Sequence, residues 1–154
     1  MKDMVKILFI CHGNICRSPM AEFVMKDMVK KAGLESRFFI ASAATSTEEI
    51  GNPVHYGTRG KLREVGISCA GKTARQITRR DYDEYDLLIG MDMANIRNMR
   101  RAWNGDPDGK VHLLLEYAGT NREVADPWYT GDFEATYTDV VAGCSGLLEE
   151  LLRG

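Results

Sequence analysis

The stretch from Val5 to Pro19 constrains this chain more than any other. A short apolar run, Val5-Lys6-Ile7-Leu8-Phe9-Ile10, passes through Cys11-His12-Gly13-Asn14-Ile15-Cys16-Arg17 into Ser18-Pro19. A nearly continuous run of β-formers is the mark of a strand buried on both faces, as in a parallel sheet. Ser18-Pro19 reads as a helix N-cap followed by proline at the first helical position. Ala21, Val24, Met25, Met28 and Ala32 then mark one face of a helix that stops at Gly33. The chain therefore opens as strand, loop and helix.

The remainder repeats that alternation. Arg37 to Ala43, Tyr85 to Gly90 and Lys110 to Leu115 read as further strands. Asn52-Pro53 is expected to start a helix carrying Val54, Leu62 and Val65 and closing at Gly66, and another runs from Ala94 to Ala102. Phe133, Tyr137, Val140, Cys144, Leu147 and Leu151 recur at helical spacing, so the last helix is amphipathic. Thr45 to Gly51 is polar and irregular, and Asn104-Gly105-Asp106-Pro107-Asp108-Gly109 is a dense turn signal. Strands alternating with helices predict an α/β fold of three layers, a parallel sheet with helices on both faces and the Cys11 loop after the first strand. No repeat or linker interrupts the pattern, and 154 residues suit one domain spanning 1–154.

Composition narrows the partners. Hydrophobic residues make up 44% and charged residues 27%, which excludes a disordered or collagen-like chain. With 22 acidic against 20 basic residues the net charge is −2, too little positive field to hold a nucleic acid. The longest apolar run, Ile7 to Cys11, is far short of the ~20 residues that cross a bilayer, and no signal-peptide core follows Met1-Lys2-Asp3. A cytoplasmic protein without membrane or nucleic-acid partners is expected.

Cys11, Cys16, Cys69 and Cys144 are too few to staple a chain of this size, which directs attention to thiol chemistry. Cys11 and Cys16 have a spacing permitted for zinc, but no second close pair completes a metal site. The alternative is an anion site. Cys11 and Arg17 frame a loop that enters a helix N-terminus, where free amides and the helix dipole attract negative charge. Gly13 and Asn14 are the residues best able to take left-handed angles and turn successive amides inward around a phosphate. Arg17 would add a two-pronged guanidinium contact, and Cys11 at the base of that field would be a thiolate nucleophile. Ser18 can hydrogen-bond the sulfur. His12 reads as a rim residue. Cys16 is either packed or, lying back near Cys11, the partner of a protective disulfide on oxidation.

The nine residues from Cys11 to Pro19, taken with Asp126-Pro127-Trp128-Tyr129, resemble the low-molecular-weight protein tyrosine phosphatases. Ser42-Ala43-Ala44-Thr45-Ser46, Ala74-Arg75-Gln76-Ile77 and Met91-Asp92 fall where that family has such segments. The resemblance implies a four-stranded parallel sheet and a two-step phosphate monoester hydrolysis without metal or other cofactor. It implies Cys11 as nucleophile, Arg17 as phosphate clamp and Asp126 as general acid and base, with phosphotyrosine proteins or small aryl phosphates as substrates. The substrate site would comprise His12, Gly13, Asn14, Ile15, Cys16 and Ser18 of the loop with Trp128 and Tyr129 walling a slot for the phenyl ring.

Asn14 and Ser42 match residues that brace the loop, and Asp92 is either a support for Arg17 or a helix-start residue. Lys72 stands near where many relatives have a histidine, and Thr130 lengthens the segment after Tyr129. Glu48 and Glu49 occupy a loop where some relatives carry an aromatic. The chain is expected as a monomer or weak dimer. Three other functions compete: phosphoarginine hydrolysis on the same scaffold, thiol-coupled arsenate reduction, and a non-catalytic phosphate-binding module. Ile15, Trp128 and Tyr129 favour tyrosine over arginine, and the scattered Cys69 and Cys144 disfavour arsenate.

Overall fold

The computed structural model describes residues 4–153. Met1-Lys2-Asp3, the segment on which the expectation of no signal peptide rests, and the final residue of the expected domain lie outside them. The strand opening the chain, β1 (Val5–Cys11), occupies the middle of a four-stranded sheet. It pairs in parallel with β2 (Phe38–Ala44) on one side and β3 (Leu87–Gly90) on the other, and β4 (Val111–Leu113) extends the β3 side, giving the order β2-β1-β3-β4. Ile7, Leu8, Phe9 and Ile10 are fully buried, because alternate residues of a central strand face two different cores. Ile7 and Phe9 pack among Met20, Val24, Met25 and Leu147, whereas Leu8 and Ile10 pack among Tyr82, Ile96 and Met99. The expected three layers follow.

On the first face lie α1 (Arg17–Lys31), α2 (Tyr56–Glu64) and the long α6 (Phe133–Arg153). Residues of α3 (Arg79–Glu84) and α4 (Met93–Ala102) supply the second face. A four-residue α5 (Pro127–Thr130) precedes α6. From β1 the chain moves outward to β2 and then returns to the other side at β3, so strand order reverses beside β1. Crevices at such reversals, beyond the carboxyl ends of the strands, are where open α/β sheets bind ligands.

Several expected boundaries shift, each for a local reason. Pro19 is the third residue of α1, not the first: Cys16 holds the N-cap position and Ser18 caps nothing, its hydroxyl being used elsewhere. Ala32 lies outside the helix and is exposed. The helix expected at Asn52-Pro53 begins at Tyr56, because Asn52 O accepts from Ala74 N and Pro53 bridges Thr73, while the His55 ring accepts from Gly57 N as the true cap. Arg37 ends a short 3-10 turn, and Tyr85 closes α3, which the sequence did not announce. β4 stops at Leu113, where Leu114–Ala118 turns into a 3-10 helix beneath α6.

Candidate active site

Cys11 is the last residue of β1, and the loop behind it is held open from outside. Cys11 O accepts from Thr45 N, His12 O from Ser46 N, Ile15 O from His55 N, and Cys16 O from the Thr58 hydroxyl at 3.3 Å. In a trans peptide the carbonyl and the following N–H point in opposite directions. Each of these four bonds therefore aims an amide, those of His12, Gly13, Cys16 and Arg17, away from the surrounding framework. Of the two residues expected to take left-handed angles only Asn14 does, with φ +59°; Gly13 does not. Asn14 N donates to Cys11 Sγ at 3.3 Å. Because α1 opens at Arg17, the amides of its first turn also lack intrahelical acceptors.

Behind the loop runs a buried polar chain. Asn14 Oδ1 accepts from Arg75 N at 3.3 Å, which assigns the amide nitrogen as donor to Ser18 Oγ (2.7 Å) and Ser42 Oγ (2.9 Å). Ser42 Oγ donates to Glu22 Oε1 at 2.5 Å. Ser18 Oγ, already accepting from Asn14, turns its own hydrogen to Cys11 Sγ at 3.0 Å. Lys72 fills the place noted as a departure: its Nζ donates to Ser42 O at 2.8 Å and pairs with Glu22 Oε1 at 3.5 Å. Glu22, Thr58 and His55 were not singled out in the sequence. Glu22 had a signal, since a carboxylate four residues beyond Ser18 lies beside the apolar face of a helix.

Arg17 is buried and triply held. Its Nη2 pairs with Asp92 Oδ2 at 2.9 Å and Asp126 Oδ2 at 3.3 Å, and its Nη1 donates to Val124 O at 3.2 Å. Burial works against the charge, but Cys11, Asp126 and Asp92 outweigh it and raise the guanidinium above its ordinary pKa. Asp92 does both things considered for it, since its other oxygen accepts from Asn95 N at 2.8 Å and caps α4. Asp126 caps α5 by accepting from Trp128 N at 3.1 Å. Cys16 is a buried thiol pushed up to about 12, by burial first and then by the charges of Cys11 and Asp126.

These residues surround a cleft of about 530 Å³, within the usual range of small-molecule sites. Cys11, His12, Gly13, Ile15, Cys16 and Arg17 line it, and so do Asp92, Asp126, Trp128 and Tyr129. Asn14, Ser18 and Ser42 do not; they are buried behind it. Trp128 is 61% and Tyr129 84% exposed, so they stand at the mouth rather than deep in a slot. Glu48 and Glu49 also line the cleft, and Glu48 meets His12 Nε2 at 2.6 Å. Among the described residues no group of three or more His, Cys, Asp or Glu is placed to hold a metal, and no helix is long and apolar enough to cross a membrane.

The family model of the low molecular weight phosphotyrosine protein phosphatases matches residues 6–154. The low molecular weight protein-tyrosine-phosphatase YfkJ of Bacillus subtilis is 41% identical over 152 residues, covering 97% of each chain. Its crystal structure superposes with a TM-score of 0.94 at 40% identity, covering 99% of this chain and 97% of that one. SP-PTP, a low molecular weight protein tyrosine phosphatase from Streptococcus pyogenes, is 44% identical with a TM-score of 0.86, over 96% of this chain and 93% of the other. The Drosophila arginine phosphatase DARP superposes at 27% identity and a TM-score of 0.85, over 96% and 98%. With the family model spanning nearly the whole chain, this protein belongs to the low molecular weight phosphotyrosine protein phosphatases.

Proposed function

We propose that the chain hydrolyses phosphotyrosine, in proteins or as small aryl phosphates, through a cysteinyl-phosphate intermediate. Cys11 Sγ attacks phosphorus in line as the bond to the phenol oxygen breaks. The inward amides and Arg17 hold the other three oxygens, so that positioning and electrostatics carry the step. The Asp126 carboxylic acid gives its proton to the departing oxygen, because a phenolate with a parent pKa near ~10 leaves far better protonated. In the second step the Asp126 carboxylate takes a proton from water, which attacks the phosphoryl group and releases inorganic phosphate and the Cys11 thiolate. Asp92 and Val124 O keep the Arg17 plane fixed while Asp126 exchanges partners.

One observation carries this reading: a single buried guanidinium joins the thiol loop to Asp126, although the two lie more than a hundred residues apart. The test is hydrolysis of p-nitrophenyl phosphate in the presence of a chelator. Turnover is expected in the native protein and abolished in Cys11→Ser and Arg17→Ala. Dependence on added metal, or full activity in either variant, would defeat the proposal. The likeness to an arginine phosphatase, with Glu48 and Glu49 at the mouth, favours phosphoarginine as the second reading. Ile15, Trp128 and Tyr129 favour tyrosine. Matched phosphotyrosine and phosphoarginine peptides, compared by kcat/KM, separate the two.

A further inference from the structure

A second cavity, of about 510 Å³, lies between α2 and the loop from Gly66 to Lys72. Arg59, Arg63 and Lys72 line it, and no carboxylate does. Arg59 and Arg63 are four residues apart on α2 and so share a face, where like charges repel. Neither guanidinium has a carboxylate partner among the described residues. Burial raises the Cys69 thiol in the cavity wall, and both arginines work against that rise, so their charges converge on one place.

Two exposed arginines alone would be ordinary solvated side chains. Lys72 makes this pair different, because it is half-buried and belongs both to the cavity wall and to the polar chain behind Cys11. Its partner Glu22 also holds Lys26 Nζ at 2.6 Å, so one carboxylate serves two ammonium groups. The cavity is thus left with uncompensated positive charge. Guanidinium pairs suit the planar, multidentate recognition of phosphate, and the volume exceeds what a bare phosphate ion needs.

We propose that this cavity is a regulatory site for a small organic phosphate, its phosphoryl group held by Arg59, Arg63 and Lys72 and its body against Val54 and Ile67. An anion there draws the Lys72 ammonium from Glu22 and Ser42. Glu22 orients the Ser42 hydroxyl, Ser42 receives Asn14, and Asn14 positions Ser18 on the Cys11 sulfur, so the disturbance reaches the phosphate loop through a continuous chain of buried hydrogen bonds.

The test titrates p-nitrophenyl phosphate hydrolysis with butylphosphonate, whose C–P bond is not hydrolysed, and separately with inorganic phosphate. Both compete for the cleft, but saturating substrate removes that competition and leaves kcat to report on the second cavity. Butylphosphonate is expected to lower kcat by about fivefold, the lower end of ordinary coupling between sites. Inorganic phosphate is expected to raise apparent KM alone. In Arg59→Gln/Arg63→Gln the butylphosphonate effect on kcat should vanish. Independently of turnover, the side-chain Nε–Hε NMR signals of Arg59 and Arg63 should shift saturably with butylphosphonate while vanadate occupies the cleft. An unchanged kcat, a kcat effect that survives in the double variant, an equal effect from inorganic phosphate, or no saturable shift in the vanadate-blocked protein would each overturn the proposal.

Discussion

At the residue scale the proposed chemistry depends on hydrogens that have one destination each. Asn14 donates to Ser18 Oγ, which leaves the Ser18 hydrogen for Cys11 Sγ. In the proposed mechanism the sulfur leaves phosphorus as an anion and needs that donor most when the intermediate breaks down. Ser18→Ala should therefore lower kcat about 10- to 100-fold, from the ~1.5–3 kcal/mol of a hydrogen bond to a charged group. The mark of that step is a burst of p-nitrophenol preceding slow turnover; a slow reaction without a burst would place the loss in the first step. Cys16 behaves oppositely. With its pKa pushed up to about 12 it is a neutral thiol at pH 7, so iodoacetate should label Cys11 ahead of Cys16 in peptide mass spectrometry. Preferential labelling of Cys16 would contradict the burial assigned to it. The loop was legible in the sequence because its nine residues are contiguous. The pairing of Lys72 with Glu22 was not, since only the fold brings positions 14, 22, 42 and 72 together.

At the scale of elements, the loop carrying Asp126 is tied down from α6. Asp139 accepts from Arg122 Nη2 at 2.7 Å, Arg122 Nη1 at 3.1 Å and Ala125 N at 3.0 Å, while Thr136 Oγ1 donates to Ala125 O at 2.8 Å. Burial alone would raise the Asp139 carboxyl, but the Arg122 and Ala125 donors win and hold it below its ordinary pKa. A carboxyl depressed in the folded state stabilises above its unfolded pKa of about 3.9, and that contribution is lost as pH falls through the lower folded value. Asp139→Asn should remove this acid-side dependence and free the loop. Its kcat is expected to drop by about tenfold for phenyl phosphate and by less for p-nitrophenyl phosphate, whose better leaving group needs the acid less. An equal drop for both esters would mean that the tie does not serve Asp126.

The same scale shows what periodicity could and could not tell. β1, α1 and α6 were legible because their apolar spacing is long and unmixed. The true start of α2 was not, because Asn52-Pro53 carries a helix-start signal that the bonds to Thr73 and Ala74 override. α3 and α5 are too short, at six and four residues, to show a period.

At the scale of the whole molecule, both the first core and the segment carrying Asp126 depend on where α6 sits. The helix covers the first core with Val140, Cys144 and Leu147 and also carries Asp139 and Thr136. Its seat is the 3-10 helix at Leu114–Ala118, approached through glycine. A methyl at Gly146 would lie 1.9 Å from Tyr117 O and 2.6 Å from Tyr117 C, both backbone atoms that no rotamer change can move. At Gly143 the nearest atom, 2.4 Å away, is the Leu114 Cγ, which has some freedom. Gly60, inside α2, has nothing within 4 Å of a built Cβ and no positive φ.

Gly60→Ala should accordingly stabilise by about 0.5–1 kcal/mol through helix propensity. Gly146→Ala should destabilise by about 3 kcal/mol, lowering Tm by roughly 6–12 °C for a domain of this size. Gly143→Ala should fall between them. Because α6 must shift to admit the methyl at Gly146, surviving folded protein should also show the Asp139→Asn pattern, with phenyl phosphate losing more than p-nitrophenyl phosphate. If Gly146→Ala instead raised Tm as Gly60→Ala does, α6 would not rest on the Tyr117 carbonyl, and the anchoring of the acid loop through that helix would lose its support.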